Sequence, residues 1–170
     1  MSLTQTLSVA LPGGAFELVD HDGRPVTDQT YRGRHALLFF GFTHCRVVCP
    51  RALYKLSAAL DDLGPLAGRI RALYVSVDPE RDTPEVMRDF LRTYPRFTGL
   101  TGTRAQVDCV KQAFRVFATR AADAQDPDGY AVPHTAISYL LDAEGRLVDH
   151  FADVLSAQDV SARIRAQLSG

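Results

Sequence analysis

The chain has no excess charge of either sign, no apolar run long enough to cross a bilayer, and only three cysteines. Each shortage removes a class of function. With 19 Lys and Arg against 20 Asp and Glu the net charge is −1, which leaves no electrostatic case for nucleic acid. A membrane span needs about 20 consecutive apolar residues, and nothing here approaches that. The opening Met1-Ser-Leu-Thr-Gln-Thr6 has neither the charged nor the apolar region of a secretory leader, so residues 1–12 read as an N-terminal arm with an expression-derived start. An odd, small number of cysteines is not a disulfide scaffold, and it falls short of the four protein ligands that zinc or an iron–sulfur cluster usually takes. There is no internal repeat and no low-complexity stretch. At 170 residues, 46% hydrophobic and 23% charged, the remainder is expected to form one globular domain over residues 13–170 with a core that needs no staples.

Hydrophobic periodicity sketches that domain. Phe16-Glu-Leu-Val19 and Arg24-Pro-Val-Thr27 flank Asp22-Gly23 and predict a hairpin. Ala36-Leu-Leu-Phe-Phe40 and residues 70–77 are continuous apolar runs of the kind found in strands covered on both faces. Between them Leu53, Leu56, Leu60 and Leu63 recur at helical spacing until Gly64-Pro65 stops the element, giving a βαβ unit with the usual right-handed crossover. Thr83-Pro-Glu85 starts a second helix carrying Val86, Met87, Phe90, Leu91 and Tyr94. A short strand over 98–101, a helix over 104–114 and an edge strand over 116–119 follow. Residues 120–132, rich in Ala, Asp, Pro and Gly, read as a long loop of the kind that carries function. A second hairpin around Asp142-Ala-Glu-Gly145 and a helix from Ser156, with Val160, Ile164 and Leu168 on one face, complete the chain. This order is that of an α/β, thioredoxin-like fold with an N-terminal β-hairpin and an inserted loop before the third core strand.

Within it, Gly41-Phe-Thr-His-Cys-Arg-Val-Val-Cys-Pro50 puts Cys45 and Cys49 where a buried strand becomes a helix. The positive end of a helix favours thiolate, the form that attacks disulfides and binds soft metals. Side chains four apart on a helix have Cβ atoms about 5–6 Å apart, whereas a relaxed disulfide wants roughly 3.8 Å. The pair therefore closes only if Cys45 lies in a loop or a distorted first turn, and bridging one metal ion is easier. Two sulfurs and one imidazole suit copper. In a thioredoxin-like fold the loop entering the third core strand passes the active thiols, and His134 occupies that loop. His44 is a competing ligand, although neighbouring side chains diverge. Cys109, within a helical Val107/Val110 pattern, reads as a buried structural thiol, and His21, His35 and His150 as surface residues. The charged turn of Asp78, Glu80, Arg81 and Asp82 reads either as helix capping and local ion pairs or as shaping the site.

Several blocks, in order, resemble the Sco/SenC family of copper chaperones of cytochrome c oxidase assembly. They are Gly13-Gly-Ala-Phe-Glu-Leu-Val-Asp20, Phe39-Phe-Gly-Phe-Thr-His-Cys45, Cys49-Pro50, Ser76-Val-Asp-Pro-Glu-Arg-Asp-Thr-Pro84, and His134 followed by Tyr139-Leu-Leu-Asp142. The resemblance spans about residues 13–168. It implies one copper, Cu(I) or Cu(II), held by Cys45, Cys49 and His134. It implies delivery to the binuclear copper site of cytochrome c oxidase subunit II, with other copper or thiol-redox proteins as further partners. A monomeric domain in the bacterial periplasm or on the outer face of the cytoplasmic membrane, anchored through a segment N-terminal to it, is part of the same expectation. Two departures from the family pattern stand out: Arg46-Val47 stands where Pro-Asp is common, and Pro133 replaces an acidic residue before the histidine. Changes around a metal site alter affinity by about 10–100-fold. The competing enzyme reading is a thiol-disulfide oxidoreductase, with Cys45 attacking and Cys49 resolving, that reduces cysteines of the oxidase or of another exported protein. Thr43-His-Cys45 is faintly similar to the Thr-x-x-Cys of peroxiredoxins, but the spacing does not match. A copper or redox sensor would need a signalling partner that nothing in the sequence identifies.

Overall fold

The computed structural model describes residues 13–44, 48–116, 121–123, 126–131 and 137–169. Its centre is strand β3 (His35–Gly41), which is buried along its length from Ala36 onward. Leu37 and Phe39 point to one face and Ala36, Leu38 and Phe40 to the other, as alternation along a strand requires. A strand buried on both faces is typical of one with a parallel neighbour and helices above and below. The neighbour is β4 (Ile70–Ser76), paired in parallel from His35↔Ile70 to Gly41↔Ser76. The crossover between them is α1 (Val48–Asp62), followed by a 3₁₀ turn at Gly64–Arg69.

β5 (Phe97–Thr101) adds to β4 in parallel, and the N-terminal hairpin of β1 (Glu17–Asp20) and β2 (Pro25–Thr27) joins β5 antiparallel. On the other side β8 (Ile137–Leu141) pairs antiparallel with β3, and β9 (Leu147–Ala152) with β8. The sheet order is β2-β1-β5-β4-β3-β8-β9. One face is covered by α1, α2 (Pro84–Phe90) and α4 (Ala157–Leu168), through Leu53, Leu56, Met87, Val160 and Ile164. The other is covered by α3 (Arg104–Phe114) through Val107, Val110 and Phe114. This is the arrangement expected from the element order, and the helix over 104–114 falls where the sequence puts it.

The outer strands differ in kind. β2 is three residues long and begins with Pro25. β9 carries the exposed His150, pairs irregularly with β8 between Leu140 and Leu141, and is tied to α4 by Arg163, whose Nε donates to Asp149 at 3.0 Å.

Three expectations need correction. The described part of the stretch expected to be a loop over 120–132 is not structureless: β6 (Ala121–Asp123) and β7 (Asp126–Ala131) form an antiparallel pair, with a register shift between Ala122 and Asp123. Ala, Asp, Pro and Gly disfavour strands, so composition conceals a pairing made by backbone hydrogen bonds. His21 is not a plain surface residue. Its Nδ1 accepts the Gly99 N–H at 3.0 Å, just beyond the last β1–β5 residue pair, Asp20↔Leu100. His35 is half-buried, and that burial holds its pKa below the usual value; Asp142 opposes the shift and Arg69 adds to it. The edge strand expected over 116–119 lies outside the described residues except for Val116, which is buried just after α3 ends on the left-handed Arg115. Among the described residues no helix is long and apolar enough to cross a membrane.

The two faces of α1 set a stability contrast. Leu56 is fully buried and Tyr54 is 75% exposed. Urea denaturation is expected to show Leu56→Ala losing about 2–5 kcal/mol and Tyr54→Ala changing stability by less than about 0.5 kcal/mol.

Candidate metal and thiol site

Cys49 is the second residue of α1, and its side chain is fully buried in the α1 face of the core with Phe39, Leu53 and Tyr74. The neighbouring rings are layered. Phe39 and Tyr74 stack at 6.0 Å between centroids, and Tyr74 and Phe90 at 5.7 Å. This places one of the two motif thiols at the strand-to-helix junction, as its sequence position implies. Cys45 and His134 lie outside the described residues, as do the departures at Arg46, Val47 and Pro133.

The junction is tight. A Cβ on Gly41 would stand 2.7 Å from the Cys49 sulfur and 2.6 Å from the Tyr74 hydroxyl oxygen. Glycine is therefore required by close approach: the sulfur and the phenol crowd the backbone where β3 ends. The last ladder bond there runs from the Val77 N–H to the Gly41 carbonyl at 2.8 Å.

Beyond that bond the chain is held by side chains from the acidic turn. Asp82 is fully buried, with Oδ1 accepting the Thr43 hydroxyl at 2.6 Å and Oδ2 accepting the Thr43 N–H at 3.1 Å and the Ser76 hydroxyl at 2.7 Å. Burial pushes its pKa up, the Thr43 and Ser76 hydrogen bonds pull it down, and the nearby Asp78 charge pushes it up again. Asp78, also buried, pairs with Arg81, whose Nε donates at 2.5 Å and whose guanidinium lies 5.9 Å from the Phe42 ring centre. Glu80 reaches further and pairs with the α3 residue Arg104. Thr83 is the cap of α2, its hydroxyl accepting the Val86 N–H. Of the two readings open for this turn, Asp78–Arg81 fits a local ion pair, while Asp82 shapes the segment that leads into the thiol motif. Nothing in local sequence pattern signals a bond between residues 39 positions apart. His44 is exposed, with its Nδ1 3.3 Å from the Thr43 hydroxyl.

Cys109 departs from expectation: it is exposed, not buried, and lines an open groove of about 510 Å³ beside Phe16 and Gln29. Val107, Val110 and Phe114 take the buried stripe of α3, and Cys109, two residues past Val107, falls on the far side of the helix. Among the described residues no group of three or more His, Cys, Asp or Glu side chains is placed to hold a metal ion.

The topology brings a second segment to this end of the sheet. Phe39 of β3 pairs with Ser138 of β8, so β8 begins beside the strand end from which the chain passes toward α1. β7 ends at Ala131 and β8 starts at Ile137, on either side of position 134 in sequence.

A strand-to-helix junction with a buried thiol, in a mixed sheet of this order, defines a thioredoxin-like protein. The family model described as SCO1/SenC matches residues 4–169, and the chain belongs to that family. It is 37% identical over 161 residues to the human "Protein SCO1 homolog, mitochondrial", covering 93% of this chain and 53% of that protein, so it spans about half of the relative's length. Among solved structures it resembles copper-bound ScoI of Arabidopsis thaliana at a TM-score of 0.87 and 30% identity, covering 92% of this chain and 98% of that one. Copper-bound ScoI of Bradyrhizobium japonicum matches at a TM-score of 0.83 and 39% identity, covering 92% and 99%.

The crowding at Gly41 sets an expected outcome. Gly41→Ala forces the Cys49 sulfur or the Tyr74 phenol aside and is expected to cost about 1–3 kcal/mol in chemical denaturation. Adding Tyr74→Phe removes one of the three crowding atoms, the hydroxyl oxygen, but leaves the ring carbon Cε2 at 2.7 Å, so it should recover only a small part of that loss. A Gly41→Ala midpoint equal to wild type would contradict the packing described.

Proposed function

We propose that this protein is a copper chaperone of cytochrome c oxidase assembly. Cys45, Cys49 and His134 bind one copper ion, as Cu(I) or Cu(II), and the ion passes to the binuclear copper site of oxidase subunit II. The observation that carries this reading is the buried thiol of Cys49 at the start of α1, at the end of the sheet where β8 begins. Family membership and the copper-bound relatives support it.

The chemistry of the donors fits copper as cargo. Two thiolates match a soft ion, and an imidazole serves both of its oxidation states. Proton competition makes loading reversible, because each thiol and the imidazole must lose a proton to bind. In this reading the domain works in the bacterial periplasm or at the outer face of the cytoplasmic membrane, tethered by a segment N-terminal to it. Arg46-Val47 and Pro133 are where its affinity or partner choice would diverge from relatives with acidic residues there.

Copper titration of the reduced chain is the test, with visible absorption for Cu(II) and a competing chelator for Cu(I). One copper per chain is expected. Cys45→Ser or Cys49→Ser should nearly abolish Cu(I) binding, since a hydroxyl is a hard ligand, and Cys109→Ser should change little. His134→Ala should leave a weaker two-sulfur site and chiefly disturb Cu(II). Affinity should fall as pH drops, because unperturbed thiols near 8.5 and imidazole near 6.5 take up protons. A chain that bound no copper yet reduced disulfides catalytically would establish the thiol-disulfide oxidoreductase reading instead.

A further inference from the structure

The C-terminal ends of β3, β4 and β5 meet at Asp82. Its carboxylate takes both hydrogen-bond donors of Thr43, just past β3, and the hydroxyl of Ser76, the last residue of β4. Its carbonyl accepts the hydroxyl of Thr101, the last residue of β5, at 2.7 Å. Its own N–H returns to the Asp78 carbonyl at 2.9 Å, so the residue is fixed on every side.

Two features set this carboxylate apart from an ordinary turn anchor. First, it is fully buried, and among the described residues no cation pairs with it; the nearby Arg81 pairs with Asp78 instead. A buried charge is costly unless hydrogen bonds replace its water, and here three donors do so. Second, those bonds begin where the strand ladder stops. Gly41 accepts the last ladder bond, and two residues later the Thr43 N–H goes to Asp82. Thr43 stands two positions before Cys45 in the chain.

We propose that Asp82, acting through Thr43, is a positioning residue for the thiol motif. It fixes the direction in which the chain leaves β3 and thereby the approach of the first motif cysteine to the second. The proposal rests on the copper reading above for its metal readouts, and on thiol reactivity alone for the rest. Thr101 is the internal control: its hydroxyl bonds the same residue, but at the backbone carbonyl rather than at the carboxylate that holds Thr43.

The experiment compares Thr43→Val, Thr43→Ser, Asp82→Asn and Thr101→Val in the full chain. It measures thermal stability, Cu(I) affinity by chelator competition, and the Cu(II)–thiolate absorption band. Thr43→Val and Asp82→Asn are expected to lower Cu(I) affinity by about 10–100-fold and to shift the band. Thr43→Ser should restore both, and Thr101→Val should lower the melting temperature while leaving affinity and band at wild-type values. If Asp82→Asn does not fold, Thr43→Val against Thr43→Ser carries the comparison. Equal copper behaviour in Thr43→Val and Thr101→Val would overturn the proposal. If the wild type bound no copper, the copper reading would fail separately. The rate of iodoacetamide alkylation of Cys45, in a Cys49→Ser/Cys109→Ser background, would then decide. A rate altered by Thr43→Val but not by Thr101→Val supports positioning, and a rate unaltered by both overturns it.

Discussion

From Ala36 onward, strand β3 has no face in contact with water. Ala36, Leu38 and Phe40 pack toward α3, Leu37 and Phe39 pack toward α1 and α4, and parallel β4 and antiparallel β8 occupy its two edges. A strand so enclosed leaves its chain one exit, at the end of the sheet. The exit is narrow, because the first turns of α1 must come down onto the strand they follow. The fully buried Cys49 and the missing side chain of Gly41 are two expressions of that one constraint. The sulfur is held by packing before any chemistry is asked of it, which is how a fold reduces the ordering a ligand would otherwise require.

The polar part of the site follows from the same enclosure. Where the ladder ends, the next backbone N–H groups still need acceptors, and water is scarce among Phe42, Val77 and the Arg81 guanidinium. Asp82 meets the need from a turn far along the chain. The charged cluster is graded by depth: Asp82 is satisfied by neutral donors, Asp78 by Arg81 at the margin, and Glu80 by Arg104 in the open. Only the outermost of these pairs is of the exposed kind that contributes little to stability.

Much of this was legible in the residues themselves. Apolar runs, the leucine stripe, the Thr-Pro-Glu start of α2 and the valine spacing of α3 are local signals, and the elements they predict are present. What the sequence hid is of two kinds. β6 and β7 are built from residues with poor strand propensity, so their pairing left no pattern to find. The roles of Asp82, His21 and Cys109 depend on where distant segments meet: a carboxylate 39 residues from its partner, an imidazole standing in for a ladder bond 78 residues away, a thiol on the wet side of a helix whose dry side was correctly read. The resemblance of motif blocks carried the family where spacing alone stopped at two thiols and a choice between metal and disulfide.

The outer strands have a consequence for how copies of this protein meet. A sheet's outermost strand offers unpaired backbone groups to any passing strand, the usual route to edge-to-edge association. Here one rim is three residues long and begins with a proline, which has no N–H to offer. The other is irregular in its pairing, charged at Asp149 and fastened by Arg163 to the helix behind it. Neither rim is a good template. The seven-stranded sheet thus ends on two edges whose backbone is poorly suited to pairing with an incoming strand.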